Sequence, residues 1–162
     1  MNYDENYMLT HDIDFFFIIN GIYVHAASAG GILPIELRDR ESLRKLQHNV
    51  AVAGYVYNEE DLEYNKAFLQ QKFSDNPKGL ISYIASFTDM ARKGFTSFDR
   101  TNWQNPDDNH YHIVCRPKRE NLDQPVIKGD FKTFINDNRS LFPSVEQSNI
   151  KLLDYIKSNF GG

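Results

Sequence analysis

The stretch MLTHDIDFFFIINGIYVHAASAGG (Met8–Gly31) sets the terms for the rest of the chain. Asn20-Gly21 is the preferred pair for a two-residue type I′ turn, because both central residues need φ > 0. A turn there pairs Ile19 with Ile22, Phe17 with Val24, Phe16 with His25 and Asp14 with Ala27. Side chains alternate across a strand, so each face reads separately. One face carries Ile13, Phe15, Phe17, Ile19, Ile22, Val24 and Ala26 and has no polar member. The other is mixed: Asp12, Asp14, Phe16, Ile18, Tyr23, His25 and Ala27. A mixed face is either partly solvated or covered by something with polar groups of its own.

Outward from the hairpin, Ala29-Gly30-Gly31 and Pro34 break and redirect the chain. Residues 1–7 read as a loose leader. Asp39 is placed to cap a helix over 40–53, with Leu43, Leu46, Val50 and Ala53 at helical spacing and Gly54 at the C′ position. Asn58 and the acidic turn Glu59-Glu60-Asp61 open a second helix with Leu62, Leu69 and Phe73 on a narrow stripe. Asn76-Pro77 opens a third, whose face of Leu80, Ile81, Ile84, Phe87 and Ala91 suits the apolar side of the hairpin; Gly94 closes it. FTSFDR (95–100) and YHIVCR (111–116) read as a second hairpin around the turn-rich loop TNWQNPDDNH. Asp130 is placed to cap a short helix, FKTFIND. Ser144 and Gln147 have the spacing of a capping box for a last helix containing Val145, Leu152, Leu153, Ile156 and Phe160. Gly161-Gly162 then reads as that helix's C-cap and frayed end, not the extended diglycine tail of the much shorter ubiquitin-like carriers. The element order predicts one α+β domain over residues 1–162, an antiparallel sheet of two hairpins with helices mainly on one face.

Composition narrows the function classes. The chain of 162 residues has 12 Phe and 9 Tyr, so it can build a core without disulfides or metal. A net charge of −4 gives no basic excess for nucleic acid, and the one basic cluster, Arg116 to Arg119, is interrupted by Pro117. The lone Cys115 excludes an internal disulfide and fits a reducing compartment. The polar, acidic start is unlike a signal peptide, and the apolar run Ile13–Ile19 is too short to span a bilayer. The expectation is a soluble cytoplasmic protein with no membrane partner. Its wealth of Asn, Lys, Ile, Tyr and Phe fits an AT-rich bacterial source.

No motif names a reaction. His110-Tyr111-His112 puts two imidazoles on one strand face, and His25, Asp14, Asp107 or Asp108 could complete a zinc site if the hairpins join. Asp14 and His25 share the mixed face within carboxylate–imidazole reach, and with His112 they are the candidates for acid–base chemistry. Alternation places Cys115 opposite His112, as a buried thiol and not a nucleophile. Ser28-Ala29-Gly30-Gly31 lacks the Lys-Ser/Thr of a P-loop. The aromatics outnumber what a core needs; Tyr23, Tyr55, Tyr57 and Trp103 are the candidates for a partner surface, with Trp103 on the long loop. The reading is a non-enzymatic factor of the accessory or immunity type that binds another protein, needs no cofactor or metal, and leaves room for a homo-oligomer. The alternative is a metal-dependent hydrolase using His110, His112 and His25.

Overall fold

A computed structural model describes residues 1–118, 128–146 and 149–153. The turn that starts the fold is as the sequence demands: Asn20 and Gly21 adopt φ of 50° and 75°. Strands β1 (Asp14–Ile19) and β2 (Ile22–Ala27) pair antiparallel in the expected register, Phe16 opposite His25 and Asp14 opposite Ala27. The start of the chain is docked, not loose. Asp4 caps the helix α1 (Glu5–Thr10) by accepting from the Tyr7 N–H, the Tyr3 amide donates to the Arg38 carbonyl, and Tyr3 and Met8 are buried.

Helix α2 (Arg40–Val52) has Asp39 as its N-cap, its side chain accepting from the Ser42 amide. Its far end is closed by Lys93, a buried cation whose Nζ donates to the Val50 and Ala51 carbonyls at 2.9 and 3.2 Å. A cation there meets the negative end of the helix dipole. The region expected to be one helix from Asn58 is three elements. Asn58 and Asp61 form a reciprocal capping box around a single 3₁₀ turn, Glu59–Asp61. The chain then extends as β3 (Leu62–Tyr64) and is recapped by Asn65 into α3 (Lys66–Phe73). The apolar spacing of Leu62, Leu69 and Phe73 therefore belonged to a strand and a helix together. Helix α4 (Pro77–Arg92) starts at Asn76-Pro77 as expected. Gly94 follows it at φ 113°, where a Cβ would stand 2.3 Å from the Phe131 ring.

The sheet is mixed and does not consist of two antiparallel hairpins. Strands β4 (Thr96–Arg100) and β5 (His110–Pro117) do form the second hairpin, but β4 lies parallel to β2. The long helical passage between Ala27 and Thr96 permits this, since parallel neighbours need a crossover. The order is β1-β2-β4-β5-β3, and β6 (Lys151–Leu152) adds parallel to β5. Lys151 and Leu152 are thus strand, and Ser144 forms a bridge with Ile18 instead of capping a last helix. Gln147, and Ile156, Phe160, Gly161 and Gly162 of the expected last helix and its end, lie outside the described residues. The outer edge of β1 is covered: Gln47 Nε2 donates to the Asp14 carbonyl at 2.6 Å, and the Ile18 amide reaches the Pro143 carbonyl. Helix α5 (Gly129–Asn138) runs through the expected FKTFIND segment, but its N-cap is Lys128 and Asp130 stands in its first turn instead of capping it.

The hairpin's apolar face lies in the main core with Leu43, Leu46 and Val50 of α2 and Phe98 and Ile113 of the neighbouring strands. Helix α4 does not cover that face. Its Phe87 ring sits 6.1 Å from His25, on the mixed side, and Phe87 and Ala91 share a second cluster with Ala27, Val114 and Cys115. Helices therefore cover the mixed face, which is why Phe16 and His25 are buried. No helix among the described residues is long and apolar enough to cross a membrane.

Candidate functional site

The polar residues gather toward one end of the sheet, where β1 begins and the parallel strands β2 and β4 finish. Three groupings stand there. The first is Asp14–His25–Ser97. Parallel pairing sets His25 beside Ser97, and His25 bonds Ser97 Oγ through Nδ1 at 2.6 Å and Asp14 Oδ1 through Nε2 at 2.9 Å. A carboxylate only accepts, so Nε2 carries a proton and donates it to Asp14, while Nδ1 faces the Ser97 hydroxyl. The residue types are those of an acyl-transfer triad, but the burial order is reversed. Ser97 and His25 are fully buried, whereas Asp14 is 52 % exposed. A nucleophile must meet its substrate, so Ser97 holds His25 and His25 holds Asp14.

The second grouping lies under α3 and α4. Tyr83 Oη donates to Asp99 Oδ2 at 2.5 Å, His112 Nε2 stands 3.4 Å from that hydroxyl, and Thr101 Oγ1 is 3.1 Å from His112 Nδ1. Phe68 lies over the imidazole, ring centroids 3.7 Å apart. Burial, with help from the Lys72 charge, holds the His112 pKa down at about 3. Burial raises that of Asp99 against the opposing Tyr83 hydrogen bond, and burial and the Asp99 charge raise that of Tyr83. His112 is therefore neutral in the fold and becomes protonated near 6.5 only on unfolding. Its contribution is present above about pH 6.5 and is lost as pH falls toward 3, because the unfolded chain then binds the extra proton. Asp99 acts with the opposite sign, losing its contribution as pH rises above 3.8. Urea midpoints at pH 7, 5 and 4 should thus fall less steeply with acid in His112→Gln than in the parent. Parallel slopes would show that His112 is not neutral in the fold.

A β-bulge between Ser97 and Phe98 sets Ser97 opposite Cys115 and Asp99 opposite His112. One extra residue on β5 thus brings Cys115 to the same face as His112, contrary to simple alternation. The thiol is buried, and burial pushes its pKa up to about 12, which keeps it protonated and unreactive.

The third grouping was not anticipated. Arg100 is 3 % exposed, and its guanidinium meets six backbone carbonyls. Nε reaches Ser28 (2.7 Å), Nη1 reaches Asn102, Asn105 and Asp108 (2.8, 2.7 and 3.5 Å), and Nη2 reaches Ala29 and Trp103 (2.8 and 3.1 Å). One guanidinium thus ties together the turn after β2 and the loop after β4. Gly31 makes room for it, since a Cβ there would lie 2.6 Å from Nε. The one sequence signal was Arg100 itself, a charge at the alternation position that continues Thr96 and Phe98 on a core face.

The histidines have separate partners. His110 Nδ1 bonds Asp108 Oδ1 at 2.6 Å, His112 bonds within the Tyr83 grouping, and His25 bonds Asp14 and Ser97. Asp107 is exposed on the loop. Among the described residues no three or more His, Cys, Asp or Glu side chains are arranged to hold a metal ion. Three of the four candidate partner aromatics are engaged within the chain. Tyr23 packs edge-to-face on Phe131 at 5.3 Å. Tyr55, 52 % exposed, lies 3.8 Å beneath the Arg92 guanidinium and its hydroxyl bonds Asp89. Tyr57 faces Lys128 Nζ at 4.8 Å. Trp103 is 65 % exposed. No protein-family model, curated protein or solved structure matches the chain.

Proposed function

We propose that the protein works by binding another protein, as an accessory or immunity-type factor, and that the loop between β4 and β5 carries the contact with Trp103 as its anchor. One observation carries this reading: the exposed indole sits on a loop whose backbone is pinned by the buried Arg100. The Trp103 carbonyl is itself one of the six that Arg100 binds. Further bonds, Thr101 N–H to the His110 carbonyl and Asp108 N–H to the Asn105 carbonyl, close the loop on itself. A large aromatic held out on a preorganised loop loses little entropy on binding, and such residues dominate interface energetics. The nearby Asp107 and Asp108 favour a partner whose indole pocket has a cationic rim. No observation favours the metal-dependent hydrolase.

Trp103→Ala should leave stability within about 1 kcal/mol, because the side chain packs on little. It should weaken the partner by about 2 kcal/mol or more, roughly thirtyfold. Quantitative affinity capture with the parent, Trp103→Ala and Tyr55→Ala compares the two surfaces. A partner retained by Tyr55→Ala and lost by Trp103→Ala supports the loop; one held equally by the parent and Trp103→Ala refutes it.

A further inference from the structure

We infer that the cleft between α1, the start of β1 and α2 binds a small zwitterion, with its ammonium group at Asp12 and Asp14 and its anionic group at Arg44. The cleft has a volume of about 440 Å³, within the range of small-molecule sites. Its cation and its carboxylates do not neutralise one another. Neither Asp12 nor Asp14 pairs with Arg44, and among the described residues Arg44 has no hydrogen-bond or ion-pair partner. Both carboxylates are nevertheless held in place. Asp12 Oδ1 accepts the Ala29 amide at 2.8 Å, which fixes the residue to the turn after β2. Asp14 is held by His25, which is itself held by Ser97.

That relay supplies the second argument. Two fully buried polar side chains are costly in a core unless something requires them, and the protein-binding loop makes no use of them. Their effect is to fix the orientation of one carboxylate at the cleft wall, as a preorganised ligand site requires. Tyr3, Phe16 and Met90 are among the apolar residues of the lining, which also includes the polar Gln47. Both faces of Tyr7 are already covered, by Tyr3 at 5.1 Å and by His11 at 3.8 Å. The rings thus offer apolar wall more than open π-faces, which suits a ligand with a hydrocarbon body between its charged ends. An ω-amino acid has that chemistry.

Calorimetric titration of the full chain with 6-aminohexanoate, hexylamine and hexanoate tests this directly, since the last two carry one end each. The zwitterion should bind at least tenfold more tightly than either. Asp14→Asn should remove its advantage over hexanoate, and Arg44→Ala its advantage over hexylamine. Both side chains are solvent-accessible, and an unchanged melting temperature confirms that each variant is folded. Absence of binding, binding no tighter than hexylamine, or an affinity for 6-aminohexanoate unchanged from the parent in either variant would overturn the assignment.

Discussion

Arg100→Met should lower the stability of the protein by about 3–5 kcal/mol, although methionine fills much of the same volume. Its guanidinium bonds six backbone carbonyls in two loops, and hydrogen bonds from a charged donor contribute about 1.5–3 kcal/mol each. Some of the freed carbonyls can turn toward water, because the loop between β4 and β5 is largely exposed; this keeps the loss well below a simple sum. The Ser28 carbonyl cannot follow, since that residue is fully buried. Arg100→Lys should recover little, because a point cation cannot reach both loops with a planar fork. Urea midpoints of the parent and both variants measure this. A loss under about 1 kcal/mol for Arg100→Met would mean that the loops hold themselves.

The second large effect belongs to the hairpin. Phe17 is fully buried and stacks on Phe15 with ring centroids 5.9 Å apart, so Phe17→Ala should cost about 3–5 kcal/mol. Tyr23→Ala should cost clearly less, about 1–2 kcal/mol, because the ring is half-buried and loses mainly its edge contact with Phe131. For a domain whose whole stability is of order 5–15 kcal/mol, the first variant is near the limit of folding. Equal denaturant midpoints for the two variants would contradict the facing of the strands.

These two cases also mark what could be read from the residues alone. The hairpin was legible because its determinants are local: a turn pair with obligatory positive φ, and alternation on both sides of it. The helix starts at Asp39 and Asn76-Pro77 were legible for the same reason, since each cap is a side chain bonding three residues along, whereas Asn58 opens only a single 3₁₀ turn. Nonlocal choices were not legible. Nothing near Ala27 or Thr96 announces that β4 returns parallel beside β2, yet that return joins His25 to Ser97. The bulge was equally hidden, and it moves Cys115 to the face of His112. The Asp14–His25 contact was expected from the hairpin register, but Tyr83 and Asp99 come from elements whose relative placement only the crossover sets. Arg100 did leave a signal, a charge in a core position, whose meaning depends on carbonyls from a loop in another part of the chain.

The proposed contact, Trp103 on the braced loop against a protein partner, has a direct optical readout. Trp103 is the only tryptophan in the chain, so its fluorescence reports on that site alone. Titrating the captured, purified partner into the protein should shift the indole emission to shorter wavelength and shield it from a soluble quencher, as an exposed ring becomes buried. Complex formation with emission and quenching unchanged would contradict the claim, because the partner would then be bound elsewhere.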